Sequence, residues 1–218
     1  ILLLLERSFP PRMPLWLAGT LSALCVTVAA QGAGAPQPDW ENQKVFDRGK
    51  EAPRVSALPY PDQQMAAAQQ EAKNPWCKSL DGHWKFKWSP DPDHRPRGFF
   101  RGEFDAGEWD RITVPGNWQT QGYGVPVYSN IPYPFKKDPP RVMGEPPANF
   151  TNYVHRNPVG SYRRTFELPE DWQGRPVFLQ FDGVDSAFYL WLNGEKIGYS
   201  QGSRTPALFD VTPHVQAG

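Results

Sequence analysis

The sequence predicts an all-β chain folded as a β-sandwich or jelly roll. The first observation is composition: nine tryptophans, eight tyrosines and thirteen phenylalanines occur with 25 prolines and 19 glycines. This combination is typical of short strands joined by many turns. The second is the segment GHWKFKW, residues 82–88, where aromatic and polar residues alternate as in a half-buried strand. The third is a rapid succession of short β-rich runs in the last third of the chain.

These later runs also predict how two of the strands connect. They are SYRRTFEL (161–168), PVFLQFDG (176–183) and AFYLWLNGEKIGYS (187–200). The last run contains Asn193-Gly194 between two β-rich stretches, and both residues tolerate positive φ, so a type I′ hairpin is predicted. Before these runs lies a Pro/Gly-rich insertion, residues 115–160, whose length indicates a functional loop.

The beginning of the chain predicts export. Residues 13–30 form an apolar run that ends in small residues and matches a secretory signal with cleavage before Gln31. Residues 1–30 are therefore predicted to be a signal peptide, and the protein to be periplasmic or extracellular. A membrane-anchoring helix is the alternative, but the run is at the lower limit of the roughly 20 residues needed to span a bilayer.

Three further segments complete the predicted organisation. Residues 31–39 read as a flexible linker, and residues 40–79 as an extended segment with several prolines. Within it, residues 62–73 predict a short helix with Asp62 as the N-cap. Residues 80–218 then form the sandwich.

Composition also argues against several classes of partner and site. The 23 basic and 23 acidic residues give a formal net charge of zero, so neither nucleic acid nor a membrane surface is an expected partner. Cys25 lies in the predicted leader, which leaves Cys77 alone in the mature chain and allows no intrachain disulfide. No histidine has the spacing of a zinc ligand, so no metal site is predicted.

Several longer motifs resemble one family. They are VPGNWQTQGYGVPVYSNIPYPF (114–135), NPVGSYRRTFELPEDW (157–172) and FDGVDSAFYLWLNGEKIGYSQGSRTPALFDVT (181–212). These segments resemble the sugar-binding jelly-roll domain of family 2 glycoside hydrolases, and most of all the β-galactosidases. WENQKVFDRGKEAPR (40–54) and SLDGHWKFKW (79–88) resemble the start of the same enzymes. The resemblance covers about residues 40–218 and implies a galactose-binding-domain-like jelly roll.

The resemblance implies an activity that this chain does not carry alone. In the family, the segment matching FDVTPHVQAG (209–218) is followed by an apolar strand, so the jelly roll is expected to lack its closing strand. The unpaired backbone edge would then be open to foreign pairing. An immunoglobulin-like domain and a TIM barrel would follow, and two barrel glutamates would hydrolyse terminal β-D-galactosides by a retaining mechanism. The chain is thus expected to be a non-catalytic, inactive N-terminal fragment with no catalytic residue.

The same resemblance implies ligands and partners of the parent enzyme. Magnesium and sodium are the implied cofactors, with none bound by this fragment. A β-galactoside is the implied substrate, and homo-oligomerisation is common in the family. Gly202 stands where the family has an aspartate beside a monovalent cation, which departs from the family pattern.

Two substrate-binding residues are carried over from the family. Asn130, in YSNIPYP, matches an asparagine that reaches into the galactose subsite, and Ile131 matches a residue that lines it. An amide offers both a donor and an acceptor to sugar hydroxyls; the alternative is an ordinary turn residue. Arg204 is expected to form a structural ion pair with Asp182 or Asp185.

Two other functions compete with this interpretation. One is a stand-alone carbohydrate-binding module that uses residues 115–160 as a lectin-like site, which requires a complete sandwich. The other is a different family 2 enzyme, a β-glucuronidase or a β-mannosidase. The match of NPVGSYRR and GVDSAFYLW favours a β-galactosidase.

Overall fold

The computed structural model describes residues 2–6, 38–55, 57–126 and 157–217, and for residues 2–6 the course of the backbone. The strands in this part of the chain are β1 (Leu2–Glu6), β2 (Asp47–Arg48), β3 (Gly82–Ser89), β4 (Asp110–Val114), β5 (Val159–Thr165), β6 (Phe178–Phe181), β7 (Ala187–Leu192), β8 (Glu195–Gln201) and β9 (Ala207–Asp210). The prediction of an all-β fold of the jelly-roll sandwich type is confirmed.

The strands form two sheets. The large sheet has seven strands in the order β2-β8-β7-β1-β5-β3-β4, and β6 pairs with β9 in the small one. β1 pairs in parallel with both β5 and β7, whereas every other ladder in the described part of the chain is antiparallel. β5 and β7 therefore run in the same direction as each other.

The main core fills the space between the two sheets. Alternation within the strands supplies it, because every second side chain of a strand points to the same face. In β7 these residues are Phe188, Leu190 and Leu192, each at most 4% exposed. The small sheet contributes Leu179 and Phe209.

A second cluster lies on the opposite face of the large sheet. It contains the alternate residues of the same strands, among them Val159, Tyr189 and Tyr199, together with Phe99. No strand pair covers this face in the described residues. Apolar, mostly aromatic residues of segments 38–50 and 97–109 pack there instead, namely Trp40, Val45, Phe100, Phe104 and Trp109. We call these two segments the aromatic cover.

The predicted hairpin and helix have different outcomes. Asn193 and Gly194 have φ of 52° and 87° and join β7 to β8, which confirms the hairpin. The helix α1 covers Gln63–Ala67 alone, shorter than the predicted 62–73, although Asp62 caps it by accepting from the Met65 N–H at 2.8 Å. None of its residues is buried. Without the packing of an apolar face to stabilise further turns, the helix stays short.

The predicted leader falls mainly outside the described residues. Residues 7–37 are not described, so the signal peptide and most of the linker stay predictions. Among the helices that are described, none has the length and apolar character needed to cross a bilayer.

Candidate functional site

Several loops meet at one end of the large sheet. Because β5 and β7 run in the same direction, their first residues, Val159 and Ala187, lie at the same end. β3 ends there, since Ser89 pairs with Val159, and β8 ends there, since Gln201 pairs with Ala187. With one strand between them, β5 and β7 are about 10 Å apart. We call this edge of the sandwich the loop end.

A tight turn follows β8 at the loop end. The Gly202 N–H donates to the Ser186 carbonyl at 3.1 Å. The Gly202 carbonyl in turn accepts from the Thr205 N–H at 3.2 Å and from the Thr205 hydroxyl at 3.0 Å. The Ser203 hydroxyl donates to Asp185 Oδ1 at 2.5 Å. The turn after β8 is thus bonded to the loop before β7, and the two loops form one polar unit.

Gly202 has a backbone that disfavours the aspartate of the family pattern. Its φ is +114°, where L side chains rarely occur, and a Cβ built there would lie 2.9 Å from Thr205 Oγ1. The residues of this turn therefore do not fit a sodium site that needs a carboxylate at position 202. No group of three His, Cys, Asp or Glu side chains suited to a metal occurs within the described ranges.

The prediction that Arg204 forms an ion pair with Asp182 or Asp185 is wrong. Arg204 is exposed and, in the described structure, forms no salt bridge with Asp182 or Asp185. Asp185 accepts from Ser203 instead, and Asp182 Oδ1 accepts from the Gln180 amide at 2.7 Å. Neutral side-chain donors already bond both carboxylates. Ordering the long Arg204 side chain there would cost conformational entropy for little added stabilisation.

The start of the long insertion is bonded to β4. The Thr113 N–H donates to Gln121 Oε1 at 2.8 Å, and Gln121 Nε2 donates back to the Thr113 carbonyl at 3.0 Å. Between them the chain makes a 3₁₀ turn, Trp118–Gln121, which ends at Gly122 with φ of 94°. The Gln121 side chain thus bonds the N–H and carbonyl of Thr113 as a neighbouring strand would, and it fixes the turn that follows β4.

The two ends of the insertion touch each other at the sheet. A Cβ built on Gly160 would lie 2.5 Å from the Trp118 ring and 2.8 Å from the Phe86 ring, so the tryptophan lies directly on the glycine backbone. Farther along, Tyr123 contacts Phe86 with ring centroids 4.8 Å apart, and Gly124 lies against Trp88. Both flanks of the insertion, up to residue 126 and from residue 157 onward, therefore lie at the loop end.

Asn130 and Ile131 lie outside the described residues, in 127–156, and their contact with sugar stays a prediction. At the loop end the structure places the Gly202 turn and both flanks of the insertion that contains Asn130 and Ile131. Sequence reasoning missed the two contacts that organise this end. A glycine within a strand pattern, Gly160, was a usable signal of close backbone approach. The Asp185–Ser203 bond had no local signal, because the two residues are 18 apart in sequence.

A second polar cluster ties the aromatic cover to β7. Asp39 Oδ1 accepts from Arg48 Nε at 2.7 Å, and Asp39 Oδ2 accepts from the Tyr189 hydroxyl at 2.9 Å. Lys196 Nζ lies 3.5 Å from the same Oδ2 atom. Burial opposes ionisation of Asp39, but these hydrogen bonds and the two cations outweigh it and lower its pKa. Burial, then the bond to Asp39, raises the pKa of Tyr189, and burial raises that of Tyr199 to about 12. At neutral pH Asp39 is therefore a carboxylate that the Tyr189 hydroxyl and the Arg48 guanidinium hold in place.

Comparisons with known proteins agree with this architecture. Residues 77–218 match the family model described as glycosyl hydrolases family 2, sugar binding domain. The β-galactosidase of Priestia megaterium is 40% identical over 182 residues, which are 83% of this chain and 17% of that protein. The β-galactosidase of Vibrio vulnificus is 46% identical over 142 residues, 65% of this chain and 13% of that protein.

The solved structures that the comparison returns carry a different name. The β-glucuronidase of Faecalibacterium prausnitzii is 24% identical with a TM-score of 0.43, over 65% of this chain and 19% of that one. The chain spans less than a fifth of the length of the curated relatives it matches. Because the family model covers well over half of the residues, from the end of the extended segment to Gly218, this chain belongs to family 2 of the glycosyl hydrolases through their sugar binding domain.

Proposed function

We propose that this chain is the N-terminal, non-catalytic sugar-binding part of an exported β-galactosidase. The observation that carries the proposal is the 40% identity to a β-galactosidase over 182 residues, which are 83% of this chain. The reaction assigned to the complete protein is hydrolysis of terminal β-D-galactosides. Its two glutamates belong to a barrel outside these residues, so the chain alone is expected to be inactive.

In this proposal the domain completes a sugar site formed mainly by the barrel. Asn130 and Ile131 extend from the insertion into the galactose subsite, where the amide bonds sugar hydroxyls and the aliphatic side chain contacts the ring. The Trp118 packing on Gly160 supports such a role, because it holds both ends of the insertion on the rigid sheet. Magnesium and sodium are cofactors of the complete protein, and Gly202 contributes no side chain to either.

Export and assembly are further parts of the proposal. The apolar run of residues 13–30 supports secretion to the periplasm or outside the cell. The immunoglobulin-like domain and the barrel would pack against this sandwich. We also expect the complete enzyme to form homo-oligomers, which are common in the family.

A chimera tests the activity. In the Priestia megaterium β-galactosidase, the segment that this chain matches is replaced by the matching residues of this chain, and hydrolysis of nitrophenyl β-galactoside, β-glucuronide and β-mannoside is measured. We expect a folded chimera to retain galactoside as its best substrate, while residues 31–218 alone hydrolyse none. A folded chimera that prefers the glucuronide or the mannoside would contradict the proposal. Tight galactose binding by residues 31–218 alone would favour the stand-alone module instead.

A substitution in the same chimera tests the sugar contact. Asn130→Ala removes one hydrogen-bonding side chain, so we expect kcat/KM to fall about tenfold or more, since a bond to a buried hydroxyl is worth about 1–3 kcal/mol. Asn152→Ala in the same insertion is the matched control, and its kinetics should stay those of the parent chimera. Equal effects of the two substitutions would assign Asn130 to the folding of the loop.

A further inference from the structure

The Asn193-Gly194 pair carries a chemistry beyond its part in the hairpin. Both residues have positive φ, 52° and 87°, as a type I′ turn requires. Asp-Gly and Gly-Gly also fit such a turn, so the backbone alone does not require an asparagine. In an Asn-Gly pair the side-chain carboxamide is readily attacked by the next backbone nitrogen, because glycine has no side chain to crowd the approach. The turn therefore contains both partners of a covalent reaction.

The surroundings of the pair leave the reacting atoms accessible. Asn193 is exposed at the tip of the hairpin between β7 and β8. In the described part of the chain, the Gly194 N–H has no hydrogen-bond partner. A Cβ built on Gly194 would find its nearest neighbour, the Phe100 backbone oxygen, 3.8 Å away, so little crowds this side of the turn. The attacking nitrogen is thus neither bonded nor covered.

A tether holds the Asn193 carboxamide on a distant segment. Asn193 Nδ2 donates to the His214 carbonyl oxygen at 2.9 Å, and His214 ends the 3₁₀ turn Thr212–His214. The His214 ring is fastened to the same hairpin, because its Nδ1 lies 2.7 Å from Glu195 Oε2. Ring closure would turn the carboxamide back onto the Gly194 nitrogen, which the bond to His214 opposes. We call residues 212–215 the end segment.

We propose that Asn193-Gly194 is a spontaneous modification site that converts to aspartate or isoaspartate and thereby releases the end segment from the hairpin. The Gly194 nitrogen loses its proton and forms a bond to Asn193 Cγ, and the carboxamide nitrogen leaves as ammonia. Water then opens the resulting succinimide ring. Its addition at Cγ gives aspartate, and its addition at the backbone carbonyl carbon gives isoaspartate. The bond to the His214 carbonyl sets the rate of the first step.

Either product removes the donor that fastens the end segment. A carboxylate at position 193 has no N–H to give to the His214 carbonyl, so an acceptor faces an acceptor. It also adds a negative charge close to Glu195, the partner of the His214 ring. Isoaspartate in addition inserts the Cβ carbon into the main chain, which lengthens the two-residue turn. Modification therefore weakens the contact between the hairpin and the end segment.

The other asparagines of the described residues are internal controls. Asn42 precedes glutamine and Asn117 precedes tryptophan, and both side chains crowd the attacking nitrogen. Asn74 and Asn157 precede proline, whose nitrogen has no proton to lose. Selective conversion at position 193 is thus expected from the residue that follows each asparagine.

The first test incubates the full chain in mildly alkaline buffer, folded or in urea, and follows each asparagine by peptide mass spectrometry. We expect Asn193 to convert to a mixture of aspartate and isoaspartate while Asn42 and Asn117 stay intact. The folded chain should convert about fivefold more slowly than the chain in urea, because one hydrogen bond opposes ring closure. Glu195→Ala should reduce this difference by loosening the end segment, whereas Glu170→Ala, in another exposed turn, should leave it unchanged.

Three results of this test would overturn the proposal. An Asn193 that stays intact in the folded chain while it converts in urea would show that the fold excludes the reaction. Equal rates in the two states would show that the His214 carbonyl exerts no hold. Equal conversion of Asn117 would show that the Asn-Gly pair does not select the site.

Asn193→Asp tests the release without the chemistry. Hydrogen exchange of the His214 amide, which donates to the Val211 carbonyl at 2.9 Å, reports on the end segment. We expect Asn193→Asp to speed this exchange about fivefold, and conversion of the unaltered chain to speed it likewise. Asn117→Asp makes the same change of charge in another exposed turn and should leave it unaltered. Unchanged exchange of the His214 amide in Asn193→Asp would contradict the release.

Discussion

The two faces of the large sheet are buried in different ways. The face toward β6 and β9 is packed against the side chains of a second sheet, with Phe188, Leu190 and Phe209 at most 4% exposed. The other face is buried under the aromatic cover, which stacks rings such as Phe100 on Trp191 with centroids 5.3 Å apart. The comparison teaches that a sheet face needs no second sheet when rings supply the area and polar bonds fix the chain that carries them.

The need for polar bonds follows from the irregular backbone of the cover. A strand pair satisfies its own N–H and C=O groups, but a loop must find other partners for those that it buries. The structure provides them one by one: Arg163 donates to the Phe104 carbonyl at 2.7 Å, and the Asp39 N–H donates to the Tyr189 hydroxyl at 3.2 Å. Truncations of the main core should therefore cost more than loss of any one bond in the cover.

The largest effect is expected for Phe209→Ala in the main core. The ring is fully buried and touches Phe188 and Phe181 at centroid distances of 6.0 and 6.2 Å, so its removal leaves a cavity between the sheets. We expect a loss of about 3–5 kcal/mol in the free energy of unfolding, measured by urea titration. Phe46→Ala is the control, because that ring is 62% exposed. Comparable losses at the two positions would mean that the core does not carry the stability.

An intermediate effect is expected for Gly198→Ala in β8. A Cβ there would clash with the Arg48 backbone oxygen and lie 2.6 Å from Phe209 Cε1, so the methyl group strains β2 and the main core together. Overpacking of this kind costs about 1–3 kcal/mol. Gly102→Ala, with open space around the added carbon, is the matched control in the same titration. A Gly198→Ala protein as stable as the control would show that β2 can leave the sheet without loss.

A smaller, pH-dependent effect is expected for Asp39→Asn in the cover. The pKa of Asp39 lies below its ordinary value, so the ionised group stabilises the fold above the unfolded pKa, about 3.9, and this stabilisation is lost as pH falls through the lower folded value. We expect the variant to be less stable by about 1 kcal/mol at pH 7, with the gap closing in acid. Unfolding is measured from pH 7 to 3. Asp93→Asn, whose side chain is 78% exposed, should show little gap at any pH; a pH-independent gap at position 39 would point to lost packing.

The fold was predictable where its signal was local. The alternation in β3 and the Asn193-Gly194 turn each specify their structure within a few residues, and both are present. β4 gave no such signal, because among its five residues Ile112 alone is fully buried and its pairing to β3 determines it. β1 was not predicted because its apolar run lies within the expected leader, and only its pairing with the distant strands β5 and β7 makes it part of the sheet.

The candidate site was less predictable than the fold. The family resemblance located Asn130, Ile131 and Gly202, but resemblance gives a position without its surroundings. The Gly202 turn is fixed by Thr205 and by the loop before β7, and these contacts exist only once β7 and β8 have paired. Charge complementarity suggested a partner for Arg204, yet it did not show that a neighbouring hydroxyl already bonds the carboxylate.

That distinction gives the smallest predicted effect and the sharpest control for the loop end. Arg204→Ala removes an exposed side chain with no ion pair to either aspartate in the described structure, so we expect unfolding to change by less than about 0.5 kcal/mol. Ser203→Ala, one residue earlier, deletes the 2.5 Å bond to Asp185 and should cost about 1 kcal/mol. Urea titration of both variants separates the two explanations of this turn. If Arg204→Ala costs more than Ser203→Ala, the guanidinium rather than the hydroxyl holds the two loops together, and the loop end depends on charge after all.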